Sequence, residues 1–465
     1  MTTATNVVLV TVDSLRADAL GDAPVVRGLA DRGVGFERAF AHGNWTPFSF
    51  PSLLASRPAF VDTGDIGVGD ATTLAAAFAD SGVHTAGFNA ANGFLTGHWG
   101  YDRGFDEFES FVRDPDGRVG RFLAAHPTVA GWAGLARSPF RRLAARLRGA
   151  DTDRPFADAS RLVEVEQRAT GVIETAPEPF FLWIHYMDAH TPYVPAPRHL
   201  RAVSGSRLGT HRMLLAHART GLGHGVGERT LADLRTLYRA AVGQVDASVG
   251  RLLDALEGAG RRAETAVVVA SDHGEEFMEH GHLAHYPKLY DELVHVPLVV
   301  DTPGVEGPPV AGHVGLESVP PTVCDLLGVD PPEGWAGESL LPAARGGAPR
   351  CSPVVSVTVR GESVTSQPIP RSLAEGDLLV SARADGWTYI ENTATGDAEL
   401  YHRPTDPGQQ ENRAADPDEA AAAAIDRLRP AVRDHARRID ATDAADGSAG
   451  PGGAVSTRLE ALGYR

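Results

Sequence analysis

Three short apolar runs in this chain each lead into side chains able to bind a metal ion or move a proton. The first, "NVVLVTV" at 6–12, is followed at once by Asp13. The second, "TAVVVAS" at 265–271, is followed by Asp272 and His273, with His280, His282, His285 and Lys288 close behind. A carboxylate beside an imidazole can offer an oxygen and a nitrogen to one cation, and Gly274 lets the backbone turn away beyond them. Four histidines in thirteen residues are more than structural packing of histidine ordinarily supplies, although His280 and His282 taken singly read as surface or supporting residues. The third run, "PFFLWIH" at 179–185, leads through Asp188 to His190, placed by Thr191 and Pro192 in a loop where it could donate a hydrogen bond to an anionic oxygen. The plainer reading of His190 is packing against Tyr193, and that of Asp13 alone is a helix N-cap.

The stretch "GNWTPFSFPSLLAS" at 43–56 adds candidate nucleophiles, since it carries Thr46, Ser49, Ser52 and Ser56. A hydroxyl attacks only when a metal or a base lowers its pKa. Otherwise Thr46 simply N-caps a helix that starts with Pro47. The two roles are compatible.

These groups act together only if the fold brings their strand ends into one place. With "VHTAGF" (83–88) and "HVPLVV" (295–300), the three runs read as strands covered on both faces, as in a largely parallel sheet. Helical patterns at 71–82 and 228–260, each ending at glycine, lie between them. The expectation is an α/β fold, with a mixed, mostly parallel sheet sandwiched by helices over residues 1–350. In open sheets of this kind sites form beyond the carboxyl ends of the strands, where Asp13, His190 and Asp272–His273 fall. After about residue 350 the pattern becomes antiparallel, with "ADG" as a hairpin turn and a helix over 416–440. That predicts a small C-terminal α+β subdomain over 351–441 and a flexible tail over 442–465. The insertions at 113–160 and 196–228 carry no readable motif, although "ARSPFRRLAARLRGA" inside the first is basic and amphipathic. A solvated helix face is the plainer reading of it, a cover for an anionic substrate the sharper one.

The whole-chain numbers narrow the function. At 465 residues and 43% hydrophobic, the chain can bury a sizeable core. A net charge of −17 speaks against a general nucleic-acid binder, which gains affinity by covering phosphates with positive charge. Lys288 is the only lysine among 43 basic residues, a composition that, with abundant Asp, Ala and Gly, suggests a salt-adapted source. Cys324 and Cys351 are too few for a disulfide framework. No apolar run reaches the roughly 20 residues of a membrane span and no basic leader opens the chain, so the expectation is a cytoplasmic protein without stable membrane insertion.

Taken in order, "NVVLVTVDSLRADAL", "GNWTPFSFPSLLAS", "GYDRGFDEF", "FLWIHYMDAHTPY", "SDHGEEFMEHG", "LYDELVHVPLVV" and "ELYHRPTDPGQQEN" make the chain resemble the sulfatase family of the alkaline-phosphatase-like superfamily over residues 5–410. The resemblance implies a metal-dependent hydrolase of sulfate or phosphate esters, with a large α/β domain and a smaller C-terminal sheet domain. By position it makes Asp13, Asp272 and His273 ligands of one divalent cation, with Ca²⁺, Mg²⁺, Mn²⁺ and Zn²⁺ left open. It makes His190 the contact to the leaving-group or non-bridging oxygens, and His285 or Lys288 a further anion contact or proton donor. Ser14 stands where sulfatases carry a second acid.

Sulfatases convert a Cys or Ser within C/S-x-P-x-R to formylglycine. Aligning "LLAS" at 53–56 with the family's "LLTG" puts Thr46 at the nucleophile and Phe50 at the arginine. Thr46 has no route to formylglycine, so it resembles the directly attacking threonine of phosphodiesterases and phosphonate monoester hydrolases in the superfamily. A competing register makes Ser49 the modified residue but leaves Leu53 where the arginine belongs. The expected partner is a small anionic ester and not nucleic acid, with oligomeric state open. The alternatives are a phosphoryl-headgroup transferase and a non-catalytic binder of anionic glycan or lipid.

Overall fold

The computed structural model describes residues 4–61, 66–112, 161–191, 193–204, 226–348, 352–360 and 377–446. The first insertion with its arginine-rich stretch, most of the second, Cys351 and the tail beyond 446 lie outside the described residues. In chain order the strands are β1 (Asn6–Val12), β2 (Val34–Phe40), β3 (His84–Asn89), β4 (Glu107–Glu109), β5 (Phe180–Tyr186), β6 (Thr265–Ser271), β7 (Glu276–Phe277), β8 (Leu283–Ala284), β9 (His295–Val296), β10 (Leu298–Asp301), β11 (Val310–Gly315), β12 (Val354–Arg360), β13 (Asp377–Ala384), β14 (Trp387–Asn392) and β15 (Ala398–His402). The helices that matter below are α1 (Pro24–Arg32), α2 (Thr46–Ala55), α3 (Leu162–Thr175), α4 (Glu228–Gly258), α5 (Val319–Leu327) and α6 (Glu419–Asp446).

The large sheet runs β11-β2-β10-β6-β1-β5-β3-β4, with β9 paired to β2. β1 lies at its centre, parallel to β6 on one side and β5 on the other. The mixed, mostly parallel sheet expected from the sequence is therefore present. The segment at 295–300 departs from the expectation. Pro297 divides it into β9 and β10, and β10 runs antiparallel to both β2 and β6. The helix expected over 71–82 is also absent, apart from one turn at Ala76–Phe78. There the Thr73 hydroxyl accepts from the Ala76 amide and donates to the Arg103 carbonyl, tying the segment to a neighbouring loop.

Strand alternation sorts the side chains of β1, β5 and β6 into two cores. Val8, Val10, Leu182, Ile184, Val267 and Val269 pack with residues of α1, α3 and α4. Val7, Leu9, Phe181, Trp183, Val268 and Ala270 pack on the other face with Phe50, Leu53 and Leu54 of α2 and with α5. Odd positions of β1 and β5 thus face α2, and Thr11, Asp13 and His185 continue that parity toward the carboxyl edge.

The C-terminal strands form a separate antiparallel sheet, β12-β13-β14-β15. A third core joins its Val357, Val380 and Leu400 and the α6 residues Leu428 and Ile439 to Trp45 and Phe48 at the start of α2. The segment that delivers Thr46 is therefore clamped between the two sheets. α6 continues to Asp446, past residue 442 where the sequence pattern places the tail. Among the described residues no helix is long and apolar enough to cross a membrane.

Candidate active site

The ladder pairs Val12 with Ser271, and Thr11 with His185, so the residue after β1 emerges beside the residue after β6. Those residues are Asp13 and Asp272, both fully buried. α2 begins directly over them. Thr46 Oγ1 lies 2.9 Å from Asp272 Oδ2 and 3.1 Å from Asp13 Oδ2, its one proton shared between two carboxylates. Capping is not its role, because Trp45 is the N-cap and Thr46 is the first helical residue. The Phe48 and Ser49 amides both donate to the Trp45 carbonyl and Pro47 has no N–H, so α2 brings its dipole rather than a cradle of free amides to this point. Ser49, one turn further along, is buried with a hydroxyl that has no hydrogen-bond partner.

Two neighbours hold the carboxylates in place. Ser14 takes a left-handed conformation, φ 60°, uncommon for a residue with a Cβ. Its amide donates to Asp272 Oδ1 at 3.2 Å and its hydroxyl to Asp13 Oδ1 at 3.0 Å. Ser14 thus orients both acids. Asn92, just past β3, was not singled out by the sequence. Its Nδ2 donates to Asp13 Oδ2 at 2.9 Å and reaches Thr46 Oγ1 at 3.3 Å.

Gly274 is needed here for close approach rather than for its dihedral freedom. A Cβ on it would sit 2.0 Å from the Glu292 carbonyl oxygen, while its amide donates to the Leu293 carbonyl at 2.7 Å. That contact presses His273 into the site. His273 Nδ1 donates to the Gly274 carbonyl at 2.9 Å, which leaves Nε2 facing Asp13 Oδ1 at 3.5 Å and Asp272 Oδ2 at 3.6 Å.

The electrostatics follow from this crowding. Burial opposes ionisation of Asp13, but the nearby imidazoles of His190, His273 and His185 hold its carboxyl well below the usual range. Burial and the neighbouring Asp13 charge push Asp272 up. His273 is raised despite its burial, because Asp272 and Asp13 favour its charged form. Two buried acids sharing one hydroxyl call for a cation if both are to be ionised.

The donors fit a divalent ion. Ligands about 2.1 Å from an ion at tetrahedral angles stand about 3.4 Å apart, and the separations given above among Thr46, Asp13, Asp272 and His273 lie near that value. His185 belongs to the same cluster, since one ligand atom each from Asp13, His185 and Asp272 lie within 4.8 Å of one another.

A row of imidazoles leads away from the acids, with ring centroids 5.0 Å apart for His273–His285 and 4.9 Å for His285–His190. Glu275, fully buried, accepts from the Tyr193 hydroxyl and lies 3.4 Å from His285 Nδ1. Burial opposes its ionisation, yet His285, His190 and Tyr193 bring its pKa below the usual value. Burial, with charge on His190 and His273, lowers His285 to about 4. Lys288 is engaged elsewhere. Its ammonium donates to both oxygens of Glu276, at 3.3 and 3.2 Å, and to the His280 carbonyl at 2.5 Å. His280 pairs with Glu292, and His282 stacks on Tyr286.

The sequence model of the sulfatase family matches residues 5–329. Arylsulfatase K of Bos taurus is 34% identical over 118 residues, 25% of this chain and 22% of that protein. Delta 4,5-hexuronate-2-O-sulfatase of Bacteroides thetaiotaomicron is 29% identical over 177 residues, 37% of this chain and 35% of that protein. The matched stretch thus spans between a fifth and about a third of these curated relatives. Among solved structures, phosphonate monoester hydrolase of Agrobacterium radiobacter shares the fold with a TM-score of 0.67 at 20% identity, over 95% of this chain and 96% of that one.

Proposed function

The chain belongs to the sulfatase family, and on that premise we propose that it is a metal-dependent hydrolase of singly charged sulfate or phosphate esters, with the unmodified Thr46 hydroxyl as nucleophile. The observation that carries the reading is the placement of Thr46 Oγ1 between the buried carboxylates of Asp13 and Asp272 at the carboxyl edge of the sheet. A divalent ion held by Asp13, Asp272 and His273 would lower the hydroxyl pKa, so that Thr46 loses its proton to solvent and stands as an alkoxide at neutral pH.

The chain's own groups account for the remaining steps. The Thr46 oxygen forms a bond to phosphorus or sulfur while the bond to the leaving oxygen breaks, and His190 supplies the proton that the leaving alcohol takes up. Asn92 steadies the negative charge on Thr46 before attack. In the second half, water displaces Thr46 and gives its proton to His285. Ionised Glu275 accepts from His285 Nδ1 and thereby turns the Nε2 lone pair outward. An anionic ester in the site would raise His285 from its low resting value. Lys288, bound to Glu276, braces the loop that carries His285.

The test compares wild type, Thr46→Ala and Thr46→Ser on nitrophenyl sulfate, nitrophenyl phosphate and bis-nitrophenyl phosphate, each with a panel of divalent cations. Thr46→Ala should lose at least about 10³-fold in kcat while still binding metal, and Thr46→Ser should keep part of the rate. A Thr46→Ala enzyme with normal turnover, or a formylglycine mass in the 43–57 peptide, would overturn the assignment.

A further inference from the structure

We propose that His185 is a fourth protein ligand of the metal and that this second imidazole makes the site select a Zn²⁺-like ion over Ca²⁺. The inference rests on the metal-dependent reading above and deepens it. His185 is wholly buried and its Nε2 has no hydrogen-bond partner. That atom lies 3.5 Å from Asp13 Oδ2, within the cluster formed with Asp272.

The tautomer follows from the Thr11 hydroxyl. Thr11 Oγ1 accepts from Trp183 Nε1 at 3.0 Å, and lies 3.2 Å from the Ile184 carbonyl and 3.0 Å from His185 Nδ1. A carbonyl only accepts, so the hydroxyl proton goes to Ile184. All three contacts are then satisfied only if His185 Nδ1 carries a hydrogen and donates it to Thr11. Nε2 then faces Asp13 Oδ2 with no hydrogen-bond partner and is the nitrogen placed to ligate. Fixing one ring nitrogen by a hydrogen bond so that the other can ligate is how metal-binding histidines are held.

The ring is also backed. Phe50 meets it edge-to-face at 5.0 Å and Trp183 lies along it at 6.3 Å. At the position where the family's arginine would put a positive charge beside this imidazole, the chain has an apolar ring. Two carboxylates, two imidazoles and a hydroxyl form a donor set suited to Zn²⁺, whereas Ca²⁺ prefers six to eight oxygens.

The experiment loads the metal-free protein with Zn²⁺ or Ca²⁺ under calorimetry and counts imidazoles by X-ray absorption at the zinc edge. Wild type should bind one Zn²⁺ through two imidazoles and should not release it to excess Ca²⁺. His185→Ala should show one imidazole and bind Zn²⁺ more weakly by at least the roughly 10- to 100-fold seen when only the support of a metal ligand is removed. Thr11→Val, which keeps the ring but frees its tautomer, should fall between the two, with circular dichroism confirming that both variants fold. One imidazole in a fully loaded wild type, or unchanged affinity in folded His185→Ala, overturns the His185 assignment alone. Preference for Ca²⁺ overturns the selectivity. A wild type that binds no divalent ion overturns the metal-dependent reading together with this one.

Discussion

Asn92 aims an amide at the atom that must become negative. Its Oδ1 is occupied by the Phe94 amide at 2.9 Å, and Asn89 accepts from its backbone N–H at 3.0 Å, so Nδ2 is held on Asp13 and Thr46 rather than left to find them. A donor fixed in advance stabilises developing charge without reorganising at the moment of reaction. Asn92→Ala is expected to lower kcat by about 10²-fold with little change in KM, and Asn92→Asp, which adds a carboxylate, to lower it further. Steady-state kinetics on the preferred ester check this, and an unchanged kcat would leave Asn92 a purely structural residue. Nothing in "NAANGF" distinguishes Asn92 from a turn asparagine, whereas Asp13, Asp272 and His273 stand out by following apolar strands. His185 was within reach of the sequence. It lies inside such a strand, at a parity that puts it on the same face as Asp13 once the register with β1 is known.

At the scale of elements, two buried histidines near one another, one after β2 and one on α6, are held in opposite states. His42, just past β2, donates from Nδ1 to the Val355 carbonyl at 2.7 Å and pairs through Nε2 with Glu317. Burial works against its charge, but Glu317 raises its pKa above the usual histidine value. His435, buried on α6 with no partner for Nε2, is pushed down to about 3 by burial and by the charge of His42. Below pH about 6.5 the unfolded chain takes up a proton that folded His435 refuses, so this contribution falls steadily from there toward pH 3. The loss between pH 7 and 5 should be on the order of 2 kcal/mol. His42 has the opposite sign, since its stabilisation is complete below the usual histidine range and is lost as pH rises through its raised value. Denaturant titrations of wild type and His435→Leu at pH 7 and 5 test the prediction. The variant should lose less stability on acidification, and an identical drop would place the acid sensitivity elsewhere. The elements themselves were unevenly legible. β1, β5 and β6 show as continuous apolar runs because both faces are covered. β2 is not legible because Glu37 and Arg38 interrupt "VGFERAF", and the reversal of β10 is not legible because strand direction depends on neighbours rather than on composition.

The charge of the whole molecule bears on which ester can enter. Among the described residues the Asp13 carboxylate meets only Ser14, Thr46, Asn92, His185 and His273, and no lysine or arginine bonds to Asp13, Thr46 or Asp272. One divalent ion would balance Asp13 and Asp272, the proton that His190 donates would balance ionised Glu275, and His285 is neutral well below pH 7. The site therefore has little positive charge to spare for a second negative charge on the substrate, which at about 4 Å from an unneutralised carboxylate costs up to about 4 kcal/mol. Around the site lies a chain of net charge −17, which repels any anion that approaches. Both effects favour a sulfate monoester or a phosphodiester over a phosphomonoester dianion. Both also give salt a definite sign. Ions shorten the reach of repulsion from about 10 Å at 0.1 M to about 3 Å at 1 M, so kcat/KM for bis-nitrophenyl phosphate should rise with ionic strength, by about twofold or more over that range. For nitrophenyl phosphate the value should start lower and climb more steeply, because the slope scales with substrate charge. A kcat/KM that falls with salt, or a dianion preferred at low salt, would mean that cationic side chains beyond this cluster gather the substrate, and the singly charged class would have to be given up.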